Sequence, residues 1–440
     1  MATILVLGGG LAGLAASAAL GSAGHQVTVL EARPYFGGRA TSYPLPGSDS
    51  EEVIDNCQHI LLKCCVNLMD FYKRLGVEKS IVFHRQIHFI EPGGRISTMQ
   101  AGALPNPLHF AGSFARLRFL NAWDKLTIAR ALLALQMERS RTDLDQITMH
   151  EWLLGKGQTP RAISRFWRQV LVSAVNEELE RMAASHGFQV FWLGFMAARD
   201  SYEMGIPSVP LGELYSPAAW TRHGNVTLRP WARVSRIRFG AGKVAGVETT
   251  AGDLLMADHY VSALPFEKLG PVAPELNIDF GAFEHSPITG IHLWFDRPVT
   301  SLAHGTLLDR NIQWFFNKDN GRYLQLVVSA SRSLAPLSRQ EVIDLALREL
   351  AEFLPLASVA RLEKAHVVKE MRATFSARPG LEQLRPPART RFANLSLAGD
   401  WTRSGWPATM EGAVRSGYLA AEDACQRLGK PQSFLLPDIA

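Results

Sequence analysis

The chain has 440 residues, 47% of them hydrophobic, which is more apolar material than one compact core needs, so two domains are expected. Lys and Arg total 46 against 41 Asp and Glu, a net charge of +5 with no long basic run; this excludes nucleic acid as a partner and leaves a mild preference for anionic cofactors or membrane surfaces. Cys57, Cys64, Cys65 and Cys425 have neither the paired spacing of a zinc site nor the density of a disulfide scaffold, and no basic, cleavable leader follows Met1, so a cytoplasmic location is expected.

Residues 4–7 form a short β-branched and leucine run, broken by Gly8-Gly9-Gly10 before an Ala- and Leu-rich stretch over 11–20. This reads as strand, tight turn and helix. Gly24 ends the helix, and residues 26–30 give a second strand closing at Glu31, completing a βαβ unit. Residues 70–200 read as mostly helical, with the longest periodic stretches at 117–137 and 163–182. Apolar stretches at 126–135 and 188–198 fall short of the about 18 residues needed to cross a bilayer, so any membrane contact is expected from one side. From residue 225 the texture changes to short strands with glycine turns, at 226–228, 235–239, 244–249 and 259–264, which predicts a β-meander. Strands at 289–295 and 323–329 precede a helix at 339–353, and residues 395–428 read as a strand, a Gly-Asp turn and a long Ala-rich helix.

Gly8-x-Gly10-x-x-Gly13 follows a strand and opens a helix, the context that gives the pattern its meaning. The first glycine permits a sharp turn, the second admits a pyrophosphate to backbone N–H groups, and the third lets helix and strand pack closely. The helix N-terminus then faces the phosphates with its positive end. Glu31, about 20 residues on, is placed to accept hydrogen bonds from both ribose hydroxyls of an adenosine and argues against a 2′-phosphate.

Which dinucleotide binds is decided by Gly37-Gly38-Arg39-Ala40-Thr41-Ser42 and, near the other end of the chain, by Leu397-Ala398-Gly399-Asp400 with Thr409-Met410-Glu411-Gly412-Ala413. Both segments resemble the flavin motifs of FAD-dependent amine oxidases and carotenoid desaturases. The resemblance implies an α/β fold: a Rossmann-like FAD-binding domain assembled from about residues 1–75, 205–270 and 385–428, and a mixed α+β substrate domain from 76–204 and 271–384. It carries FAD contacts to Gly8, Gly10, Ala12, Gly13, Glu31, Ala32, Arg33, Gly38, Arg39, Val234, Asp400, Met410 and Ala413. It also implies that the helix after Asp400 aims its N-terminus at the flavin, where a positive helix end stabilises the anionic reduced form.

Internal segments narrow the resemblance. Residues 54–65 (Ile-Asp-Asn-Cys-Gln-His-Ile-Leu-Leu-Lys-Cys-Cys), Pro105 to His109, Ala174 to Glu178 and Ile291 to Asp296 look like the hydroxysqualene dehydroxylases, the squalene-associated desaturases of bacterial hopanoid synthesis. That subgroup implies hydride transfer from reduced FAD to hydroxysqualene with loss of its hydroxyl as water, an electron donor that the sequence does not identify, and a general acid. Asp55 and His59 are the first candidates for the acid; the plainer readings are a turn or capping aspartate and a satisfied buried histidine. Cys57 reads as packing, and Glu411 as the N-terminal acid of its helix. Residues 188–195, Trp294-Phe295 and Trp314-Phe315-Phe316 are candidates for a tunnel around a thirty-carbon chain, or simply core. Residues 110–135, with Arg116, Arg118, Lys125 and Arg130, read equally as a membrane-docking segment or an amphipathic core helix.

A carotenoid desaturase and an amine oxidase are the enzyme alternatives; the Thr402-Arg403-Ser404 region has no cysteine for a thioether-linked flavin. A prenyl-binding chaperone resembling the Rab GDP-dissociation inhibitors is the non-enzyme alternative, disfavoured by the complete flavin motifs.

Overall fold

The computed structural model describes residues 1–46 and 52–439. Its first layer is a five-stranded parallel sheet built from β1 (Thr3–Leu7), β2 (Gln26–Leu30), β3 (Val226–Arg229), β4 (His259–Ser262) and β5 (Leu395–Leu397), in the order β3-β2-β1-β4-β5. Parallel strands are covered on both faces, and the near-continuous apolar runs Thr-Ile-Leu-Val-Leu and Gln-Val-Thr-Val-Leu suit that burial.

Helix α1 (Leu11–Ser22) is buried along almost its whole surface, as expected of a helix apolar all round. A Cβ on Gly13 would overlap the Gly8 carbonyl oxygen, so only glycine lets α1 start this close to β1. Helix α2 (Val66–Leu75) and helix α4 (Met410–Arg427) pack beside it, and Gly417 presses so closely on α1 that a Cβ there would overlap the Ala12 carbonyl oxygen. The Tyr418 hydroxyl donates to Asp70 Oδ2 at 2.7 Å, tying α4 to α2.

Two short strands of the expected meander belong elsewhere. Residues 226–229 and 259–262 join the parallel sheet, and only 234–240, 243–249 and 254–255 form the small antiparallel sheet. Their strand character is local, whereas their pairing partner lies in the N-terminal strands.

The second layer is a seven-stranded sheet in the order 362–375, 285–295, 323–329, 314–319, 304–307, 87–90 and 96–99. Alternation divides its faces. Trp314 and Phe316 join a core with the helical segment 108–196, while Phe315, Leu326 and Ile291 face the helix Arg339–Phe353. Residues 81–99 of the region read as helical therefore contribute strands.

The periodic stretch 117–137 starts later than its pattern. Asn121 and Asp124 form a reciprocal capping box, so α3 runs Ala122–Glu138. The stretch 163–182 stops at Val175, where Asn176 turns left-handed at φ 60° and spends its amide on Ser286 O, Thr374 Oγ1 and the Ala330 N–H.

Candidate active site

The dinucleotide cradle is built where β1 meets α1. Gly10 is the N-cap of α1, no side chain caps that end, and its first turn holds no acid, so the helix N-terminus is free to receive an anion. Glu31 closes the loop from the side: Oε2 accepts the Gly9 N–H at 2.8 Å and Oε1 the Arg33 N–H at 2.9 Å, leaving a lone pair on each oxygen for ribose hydroxyls. Ala32 is half-buried and Arg33 exposed, its guanidinium 5.8 Å from the Tyr35 ring centre. The segment leading to Val234 lies against this same turn, since Ala232 N–H donates to Glu31 O and Trp231 N–H to Arg33 O.

The second glycine pair abuts the first. Gly37 N–H donates to Gly9 O at 2.8 Å, and Gly38, at φ 66°, comes so near Gly10 that a Cβ on it would lie 3.0 Å from the Gly10 Cα. Arg39 reaches away from the turn: Nη2 meets Asp400 Oδ2 at 2.6 Å and Nη1 donates to Ala373 O at 2.6 Å. Asp400 follows β5 and Gly399, whose N–H donates to Ser416 Oγ in α4 at 2.8 Å. At the start of α4 the Thr409 hydroxyl oxygen accepts the Gly412 N–H, while Met410 and Ala413 occupy the first turn. Gly8, Gly10, Ala12, Gly13, Glu31, Gly38, Arg39, Asp400, Met410 and Ala413 thus come together from opposite ends of the chain.

Arg385 has no motif around it, and it holds this arrangement from behind. Its side chain is 1% exposed, and Nη2 donates to the carbonyls of Asp400 and Thr402. Nothing in its local sequence, Leu384-Arg385-Pro386-Pro387, announces that role.

An apolar cavity opens beside the α4 N-terminus, walled by Leu61, Phe89, Leu193, Phe195, Trp314 and Met410. Gln189, Val190, Leu193, Gly194, Phe195 and Trp314 thus line it, but Phe188, Phe191, Trp192, Trp294, Phe295, Phe315 and Phe316 do not. Trp294 stacks on Tyr323 at 4.4 Å, and Phe295 belongs to the core on the far face of the sheet.

Among the described residues, the only carboxylate in that wall is Glu411. It is 1% exposed, with Oε1 accepting Asn67 Nδ2–H at 2.9 Å and Oε2 accepting the Leu68 N–H at 2.7 Å. It thereby caps α2, whose own N-cap Cys65 offers no side-chain bond. Burial pushes its carboxyl up to about 7, against the opposing pull of those donors.

Asp55 and His59 take other positions, since neither lines the cavity, which begins at Ile60. Asp55 is 4% exposed; Oδ1 accepts Ser42 Oγ–H and the Leu211 N–H, and Oδ2 pairs with Lys318 Nζ at 3.0 Å. Those partners join three segments through Asp55. His59 donates Nδ1–H to Cys57 O at 2.8 Å, and burial lowers its proton affinity, which favours the neutral ring. Burial also pushes the Cys57 thiol up to about 12, consistent with packing.

The two abutting glycine turns, the uncapped N-terminus of α1 and the second motif at α4 fit a dinucleotide carrying a flavin. The fold and this cradle define an FAD-dependent oxidoreductase. The chain belongs to the flavin containing amine oxidoreductase family, whose profile matches residues 11–425. Among curated proteins it is 25% identical to a probable zeta-carotene desaturase of Synechococcus elongatus, across 95% of this chain and 98% of that protein. It is 26% identical to a 15-cis-phytoene desaturase of the same organism, across 95% of each. Among solved structures, putrescine oxidase bound to putrescine superposes with a TM-score of 0.71 at 15% identity, covering 97% of this chain and 99% of that one. An oxidoreductase from Methanosarcina mazei gives 0.70 at 20% identity, covering 94% and 98%. At these identities the structural matches speak for the fold alone.

Proposed function

We propose that this chain moves hydride between FAD and a carbon of a long isoprenoid hydrocarbon. The carrying observation is the mainly apolar cavity at the α4 N-terminus, in which Glu411 is the one carboxyl group among the described residues. Such a wall offers mostly hydrocarbon contact, interrupted by Gln169, Ser173, Gln189 and Thr409, which suits a long apolar substrate better than an ammonium. When bound, FAD supplies the two-electron hydride chemistry; the chain's own residues align the carbon, exclude water and handle one proton.

Two directions of reaction use these parts. The relatives named zeta-carotene and phytoene desaturase favour desaturation. In that direction bound FAD would supply the two-electron acceptor for hydride lost from one carbon of a polyene, and Glu411 in its carboxylate form would take the proton from the neighbouring carbon as the double bond forms. The likeness of residues 54–65, 105–109, 174–178 and 291–296 to the hydroxysqualene dehydroxylases favours the second direction. There Glu411 in its acid form would protonate the hydroxyl so that the C–O bond breaks to release water, and bound reduced FAD would supply the hydride that completes squalene. A carboxyl titrating near 7 serves either role at neutral pH.

Flavin-loaded protein tested anaerobically separates the two: chemically reduced enzyme with hydroxysqualene in one arm, oxidised enzyme with phytoene or zeta-carotene and a quinone acceptor in the other. Squalene in the first arm assigns dehydroxylation, and added conjugation in the second assigns desaturation. Oxidation of a primary amine with neither isoprenoid consumed overturns the proposal.

A further inference from the structure

The outer face of α3 presents four large apolar side chains to solvent. Trp123 is 59% exposed, Leu126 50%, Leu133 58% and Met137 82%, and Arg130 sits among them. Their spacing puts all five on one stripe of the helix, turned away from Thr127, Ile128, Ala131 and Leu135, which face the core. Solitary exposed leucines are ordinary, but a contiguous stripe marks an interaction surface. Leu104 and Leu108, at 50% and 58%, add to the exposed apolar surface just upstream.

The unpaired charge around the stripe is of one sign. Between residues 102 and 138 the acids are Asp124, which is 1% exposed and consumed by the helix cap and by Thr159, and Glu138, which is paired with Arg141 and Lys156. Arg116, Arg118, Lys125 and Arg130 have no carboxylate partner among the described residues, and the first three line an open groove of about 710 Å³ with Arg95. The Lys125 ammonium donates to Ala115 O, which holds the groove against the start of α3.

We propose that this face docks on an anionic phospholipid bilayer, with Trp123, Leu126, Leu133 and Met137 entering the acyl boundary and the Arg116–Arg118–Lys125 groove receiving headgroup phosphates. A basic helix with an apolar stripe and an interfacial tryptophan is suited to lie in the plane of such a surface. A second copy of the chain fits poorly, because a two-fold contact through this patch sets the unpaired cations of one protomer against those of the other. Phe110, upstream of α3, packs against Phe195 of the cavity wall with ring centres 6.1 Å apart and planes tilted by 51°, so the docked region adjoins that cavity. The docking itself does not depend on which reaction the cavity supports.

The test is sedimentation of the full flavin-loaded protein with vesicles of phosphatidylcholine, alone or mixed with phosphatidylglycerol. Protein is expected to partition onto the mixed vesicles, with a blue shift of tryptophan emission that disappears in Trp123→Ser. Leu126→Ser with Leu133→Ser is expected to reduce partitioning at least ten-fold, and Arg116→Ser with Arg118→Ser about five-fold per cation removed. All these side chains are exposed, and the flavin spectrum and thermal midpoint report that each variant is folded. Equal partitioning of variants and wild type, indifference to phosphatidylglycerol, or concentration-dependent dimerisation abolished by the leucine changes would each overturn the proposal.

Discussion

Arg39 and Asp400 stand 361 residues apart in sequence and meet at 2.6 Å, joining the glycine-pair turn to the turn before α4. Burial acts to strip the guanidinium of its proton, and the carboxylate more than offsets this, so the charge on Arg39 is held more firmly than in water. With Nη1 on Ala373 O, the same side chain also anchors the end of the long strand Leu362–Phe375.

Arg39→Ala is expected to weaken FAD binding, since a charge-assisted hydrogen bond contributes roughly 1.5–3 kcal/mol. Arg39→Lys keeps the charge but not the fork that reaches two acceptors, so an intermediate loss is expected. Flavin titration of the deflavinated protein measures both, and unchanged affinity in Arg39→Ala would show that the two motifs hold together without this pair.

Glu31→Ala removes the acceptor for Gly9 N–H and Arg33 N–H as well as the ribose contact. FAD affinity should fall by at least ten-fold, and Glu31→Gln, which keeps one acceptor oxygen, should fall less. If the two variants bind FAD equally well, the carboxylate is not the ribose anchor.

Glu411 carries a folded-state pKa of about 7 against an ordinary 4.5, so the fold favours its protonated form. This contribution is complete below about pH 4.5 and is lost as pH rises through 7, to the extent of about 3 kcal/mol. Glu411→Gln removes that dependence, so its thermal midpoint relative to wild type should rise between pH 5 and 8, in steps of about one pH unit. A constant difference across the range would mean that Glu411 is ionised throughout. Loss of turnover in Glu411→Gln under the same conditions would support its part in proton handling.

Four buried histidines contribute to the acid limit of the fold. His186, His292 and His304 are depressed to about 3 and His259 to about 4, in each case first by burial. Their stabilising effect is present above their ordinary 6.5 and is lost as pH falls through the folded values, where the unfolded chain binds protons that the fold refuses. Thermal midpoints should therefore decline steeply between pH 6 and 4, and His259→Asn should flatten part of that slope. An unaltered slope in the variant would place the acid sensitivity elsewhere.

The cradle was largely legible because its glycines answer demands of the backbone that no other residue meets. Gly13 and the Gly37-Gly38 pair are examples, and they sit beside short strands with clear local character. The helix Arg339–Phe353 was equally plain, its start set by Ser338 and Glu341 in a capping box. What escaped detection depends on distant partners. Lys318 is identified only by Asp55, Arg385 by the carbonyls of Asp400 and Thr402, and Glu411 by Asn67 and Leu68. Asp55 was legible as a chemical group, but its ion pair was not, because Lys318 comes from another sheet. The strands 226–229 and 259–262 were recognised as strands but placed in the wrong sheet for the same reason.

The close seating of Gly417 on Ala12 bears on how the protein is made. While residues before 395 leave the ribosome, β4 has an open edge and α1 lacks the helix that covers it, so the growing chain holds apolar surface bare for most of its synthesis. The cradle, which draws on both ends of the chain, is therefore complete only once α4 is released to close over α1.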